Sequence, residues 1–123
     1  MAACGEPSGF RGVSPEGQLQ LAHAQLAAGQ IPEARRAFER TLETDPGSIE
    51  ARLGLAETAQ RLGDDQVAER AFEEVLGLGA DRQSVVLALR GLGELRRNAG
   101  DDRGASDFQA QADALLSEGT EAH

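Results

Sequence analysis

Few residues in this chain have both the type and the spacing for bond-making chemistry. His23 stands on a stretch of helical periodicity, and no carboxylate or cysteine is spaced to pair with it for metal binding or proton transfer. Gly63-Asp64-Asp65 and Gly100-Asp101-Asp102 concentrate acids beside a glycine. A calcium loop, however, needs acids at alternating places and a distal bidentate Glu, which neither stretch has. Both read as glycine turns whose acids cap the following helix. All twelve basic residues are Arg, so Schiff-base lysine chemistry and a Gly-Lys-Thr/Ser phosphate loop are absent. No nucleophile–base pair, metal spacing or cofactor motif emerges, and the sequence predicts no catalytic residue, metal or cofactor. The one cysteine, Cys4, excludes an internal disulfide framework. It sits in Met1-Ala2-Ala3-Cys4-Gly5, which resembles the end of a bacterial lipoprotein signal and makes Cys4 a lipidation candidate. No charged segment and apolar stretch precede it, so this reading requires that Met1 stand near the cleavage site of a longer precursor.

Composition bounds the rest. A chain of 123 residues has room for one domain and buries about two-thirds of its unfolded surface. Hydrophobic residues make up 40%, mostly Ala, Leu and Val, with four Phe and no Trp or Tyr. Such a core suits helices, because Ala and Leu lose little on entering one. A net charge of −9 argues against nucleic acid as a partner, since duplex binding depends on basic side chains replacing counterions. No apolar run approaches the roughly 20 residues that cross a bilayer.

The strongest signal is a repeat. Arg36-Ala37-Phe38-Glu39 recurs as Arg70-Ala71-Phe72-Glu73, an offset of 34 that also carries Leu19 to Leu53, Gly29 to Gly63, Ala34 to Ala68 and Leu42 to Leu76. A third copy follows after three extra residues: an offset of 37 takes Leu55 to Leu92, Gly63 to Gly100 and Ala68 to Ala105. There Phe72 maps to Gln109 and the aromatic stands one place earlier, at Phe108. The mismatch predicts either a second helix shifted by one residue or a shortened turn. Each copy reads as two amphipathic helices around a glycine. Ser14-Pro15-Glu16 supplies a cap, a first-turn proline and an acid at the positive end of the dipole. Asp45-Pro46-Gly47-Ser48 breaks the chain before the next cap. The predicted helices span 15–28, 31–43, 49–62, 65–77, 83–98 and 102–116, in repeats 15–48, 49–82 and 83–116. Residues 1–14 read as a flexible tether containing Phe10, and 117–123 as a disordered tail.

These residues resemble the tetratricopeptide repeat. Leu21-Ala22, Gly29, Ala34, Phe38 and Asp45-Pro46 carry the likeness in the first copy. Leu55-Ala56, Gly63, Ala68 and Phe72 carry it in the second, and Leu92-Gly93, Gly100 and Ala105 in the third. It departs from the family at Gln18, Arg52 and Leu89, where aromatics are usual, and at Ala80, where a proline is. The resemblance implies an all-α superhelical solenoid of three helix-turn-helix repeats, a protein-binding scaffold and not an enzyme. It further implies that the first helices line a concave groove holding a peptide or helix of another protein, with Leu19, His23, Glu57, Arg61, Arg90, Glu94 and Arg97 as groove candidates. Family members that grip an acidic C-terminal tail use Lys, Asn and Arg where this chain has Leu19, His23, Gly54, Leu87 and Gly91, so that clamp is not expected. Similar short lipoproteins imply membrane anchoring through Cys4 in the bacterial periplasm and a role in envelope, pilus or secretion assembly. The alternative is a cytoplasmic adaptor or secretion chaperone, homodimeric if a second subunit covers an apolar end left by three helix pairs.

Overall fold

A computed structural model describes residues 14–121, with side chains through residue 118. Cys4, Phe10 and the rest of the expected tether lie outside the described residues. Within them the chain forms six α-helices and no strand: α1 Pro15–Ala27, α2 Ile31–Thr44, α3 Ile49–Arg61, α4 Asp65–Gly77, α5 Arg82–Asn98 and α6 Asp102–Glu121. The last helix runs past residue 116 into the stretch expected to be a tail. Just before that stretch Leu115 packs against the core of α5 and α6.

The turns repeat as the sequence does. At Gly29, Gly63 and Gly100 the backbone takes φ of 80°, 82° and 86°, where an L side chain would be strained. After each, an amide reaches back over the helix end: Gln30 N to Gln25 O, Asp64 N to Ala59 O and Asp101 N to Arg96 O, all at 2.8 Å. These bonds satisfy carbonyls that a helix terminus otherwise leaves without partners. After Gly63 and Gly100 the next helix is then capped by an aspartate. Asp64 accepts from Val67 N at 3.4 Å and Asp101 from Gly104 N at 2.9 Å, as Ser14 and Ser48 do for Gly17 N and Ala51 N. The Gly-Asp-Asp stretches are therefore turn-and-cap units.

Packing follows from small residues. Ala22, Ala34, Ala56, Ala68 and Ala105 are buried, which lets neighbouring helix backbones approach closely. Thr41 and Thr58 are fully buried and return their hydroxyls to their own helices, Thr41 donating to Ala37 O and Thr58 to Gly54 O, both at 3.0 Å. Consecutive helices pack in antiparallel pairs. In addition α1 touches α3 and α3 touches α5, whereas α2, α4 and α6 make no comparable contact with one another. A stack whose first helices are mutually close and whose second helices splay apart curves with the first helices inside.

Phe38 and Phe72 are the wedges between repeats. Phe38 lies on Gly54 of α3 and Phe72 on Gly91 of α5; a Cβ at either glycine would overlap the ring. The third copy has neither a shortened turn nor a shifted helix. Its turn matches the second, Ala105 and Ala112 are buried where Ala68 and Val75 are, and Phe108 takes the position of Ala71. Phe108 is half-buried against both neighbouring core clusters. Gln109, in the place of Phe72, is exposed and donates to Asp113, which stands where Leu76 does, at 3.0 Å. The surface that stacks the next pair in the second repeat is thus polar in the third, unlike the apolar end expected there.

Candidate partner-binding groove

The inner surface is built by the faces of α1, α3 and α5 that point away from their own second helices. Between α3 and α5 it sinks into a depression of ≈ 490 Å³. α3 contributes Leu53, Glu57, Gln60 and Arg61, and α5 contributes Leu87, Arg90, Gly91 and Glu94, with the Phe72 ring reaching the floor. Gly91 admits that ring, which occupies space that a Cβ would take.

Four of the seven groove candidates, Glu57, Arg61, Arg90 and Glu94, line this depression together. Arg97 is exposed on α5 outside it. Leu19 is half-buried and packs on the first-repeat core of Ala22, Ala34 and Phe38. His23 is engaged otherwise than expected. Its Nε2 lies 2.9 Å from a Glu50 carboxylate oxygen, and its ring meets Phe38 edge-on at 5.2 Å. The stacking of α1 on α3 thus supplies a carboxylate partner that spacing along the chain did not reveal. With His23 46% and Glu50 63% exposed, the pair is a solvent-screened clasp between repeats.

The electrostatics of the depression are largely self-contained. Arg61 donates to Glu57 at 2.9 Å along one helix, and Gln60 donates to Glu94 at 3.1 Å across the gap. Arg90 makes no hydrogen bond or ion pair with another described residue. Leu87, 48% exposed, is the apolar contact such a surface offers a ligand. Sequence reasoning missed Leu53, Gln60 and Leu87 as groove residues. The repeat offset carries Leu19 to Leu53, and helical spacing puts Leu87 one turn from Arg90, so both signals were present.

No carboxyl or imidazole in the depression joins a nucleophile. Among the described residues no cluster of three or more His, Cys, Asp or Glu could hold a metal ion, and no helix is long and apolar enough to cross a membrane.

No curated protein matches the sequence. Among solved structures the chain is similar to one described as "Crystal structure of MamA", with a TM-score of 0.80 at 16% identity. The match covers 89% of this chain and 62% of that one, so the chain spans less than two-thirds of that protein's length. At such low identity the likeness concerns the fold. The sequence profile described as Tetratricopeptide repeat matches residues 25–93, more than half of the chain and the span from the end of α1 into α5. With its period, glycine turns and phenyl wedges, the chain belongs to the tetratricopeptide repeat family.

Proposed function

We propose that this protein is a non-catalytic scaffold that holds a segment of a partner protein in the depression between α3 and α5. The observation that carries this reading is an open depression on the inner surface where Leu53 and the exposed Leu87 lie beside charged groups from two facing helices. Partner binding covers Leu87 and surrounds it with oriented polar groups, the usual anatomy of a small interface. The test is the double charge reversal Glu57→Arg/Arg61→Glu. It keeps an i,i+4 ion pair on α3 and so preserves the helix, while inverting the charge pattern that a ligand meets. Capture of the native partner from the source cell is expected to be lost with an unchanged melting temperature. Retention of the same partner places the binding surface elsewhere.

The finer assignment is a lipoprotein anchored through Cys4 in the bacterial periplasm, serving envelope, pilus or secretion assembly. Its support is Ala2-Ala3-Cys4-Gly5. Metabolic labelling with a radioactive fatty acid should mark the wild-type gene product and not a Cys4→Ser variant. Equal labelling, or none in either, returns the protein to the reading of a cytoplasmic adaptor.

A further inference from the structure

The third repeat also departs from the second at the start of its first helix. An offset of 37 takes Ile49, the first residue of α3, to Val86, yet α5 begins at Arg82 and has 17 residues where α3 has 13. The extra residues therefore form an added amino-terminal turn on α5. α6 is also longer than α4, 20 residues against 13, and its excess runs back beside that turn. Val86, Leu89 and Ala112 bury together there, flanked by Val85 and Leu115. Next to them is a second depression of ≈ 490 Å³, lined by Arg82, Gln83, Val86, Leu87, Arg90 and Leu116.

Its chemistry is unlike that of the surrounding surface. Among the described residues no carboxylate lines it, in a chain of net charge −9. The position matching Leu87 in the second repeat is Glu50, so an acid has been exchanged for an aliphatic group, and Arg82 belongs to the added turn. Arg82 and Arg90 lie on one face of α5, both exposed, and neither bonds to another described residue. Arg35, Arg52, Arg61 and Arg96 each hold a carboxylate, whereas Arg36, Arg70, Arg97 and Arg103 hold none among the described residues. What sets Arg82 and Arg90 apart is that they flank one apolar depression. Leu87 and Leu116 are 48% and 44% exposed beside the two guanidinium groups. Leu87 and Arg90 also line the first depression, so the two are continuous.

We propose that this second depression selects the partner: it takes a segment of the bound protein in which an aliphatic side chain stands next to carboxylates. The inference rests on the groove reading above and adds the ligand's chemistry. The aliphatic group covers Leu87 and Leu116, and the carboxylates meet Arg82 and Arg90 in the paired N–H···O geometry that guanidinium favours. The acidic remainder of the surface repels such a segment everywhere else, which fixes where it docks.

Fluorescence anisotropy with a labelled peptide Leu-Glu-Glu-Leu-Leu-Glu, and with the same peptide carrying Gln for Glu, tests this. The acidic peptide is expected to bind at least about tenfold more tightly, and Arg82→Gln/Arg90→Gln should abolish that preference. Arg82→Lys/Arg90→Lys should retain part of it. Equal binding of the two peptides, no binding of the acidic one, or a preference that survives in the Gln variant overturns the proposal. The Glu57→Arg/Arg61→Glu capture experiment judges the groove reading separately, because those residues line only the first depression. Sedimentation of the chain alone is the third arm. A dimer that dissociates in the Arg82→Gln/Arg90→Gln variant would assign the depression to a second copy and also overturn the proposal.

Discussion

The phenyl ring of Phe72 lies where the side chain of anything but glycine at position 91 would begin, and Phe38 stands to Gly54 in the same way. Two opposing effects meet at these glycines. Alanine in mid-helix is favoured over glycine by about 1 kcal/mol, while forcing a carbon into a packed contact costs about 1–3 kcal/mol. Since the blocked atoms belong to a ring held between helices, the steric effect wins. Gly91→Ala is expected to lower the melting temperature despite its better helix propensity, and a thermal melt at or above the parent would remove the wedge from the account. Phe72→Ala should cost about 3–5 kcal/mol of unfolding free energy, measured by denaturant titration. Phe108→Ala should cost less, because that ring is only half-buried.

At the scale of the element, each helix starts and ends by local chemistry. Replacing Asp101 by Ala removes the acceptor for Gly104 N and should cost about 1 kcal/mol, seen as a lower denaturation midpoint with an unchanged slope. The added turn of α5 begins at Asp81, whose carboxyl is held below its ordinary value of 3.8, chiefly by the Ser84 hydroxyl. A depressed carboxylate contributes stability that is present above the unfolded value and lost as the pH falls through the folded one. The stability of the wild type relative to Asp81→Asn should therefore be constant from neutral pH down to about 3.8 and shrink below it. A difference that grows on acidification would contradict the assignment. The six helices themselves were legible in the sequence, most to within one residue, because their signals are local: a cap, a proline in the first turn, a glycine after the last. The end of α6 was not: the helix runs past the predicted residue 116 to Glu121, and no cap or proline marks that stop in the sequence.

For the whole molecule, contacts run only between helices adjacent in the stack. Stability in such a stack is a sum of repeat and interface terms, so damage should stay local. Hydrogen exchange on Phe72→Ala is expected to accelerate in α5 and α6 while α1 and α2 keep most of their protection. Uniform acceleration over all six helices would show instead that the stack opens as one unit. The polar outer face of α6, with Gln109 bonded to Asp113 where the second repeat has Phe72 and Leu76, offers a further helix pair no wedge.

The class of fold, the period, the glycine turns, the capping acids and the buried alanines and phenyl rings are all legible along the chain. All of these are set by helical periodicity within a stretch of about 34 residues. The sequence also marked Glu57, Arg61, Arg90 and Glu94 as belonging to the inner face. Which residues meet across repeats emerges from packing alone: His23 with Glu50, Gln60 with Glu94, each ring with its glycine. Those distances depend on how far each helix pair is rotated relative to the last, a quantity no single repeat encodes. The same holds for the second depression. Three inserted residues are visible in the alignment of the copies, and the predicted span 83–98 already contains most of the added turn. That Leu116 of α6 comes to lie beside Arg82 and Arg90, however, follows from the antiparallel packing of α5 and α6.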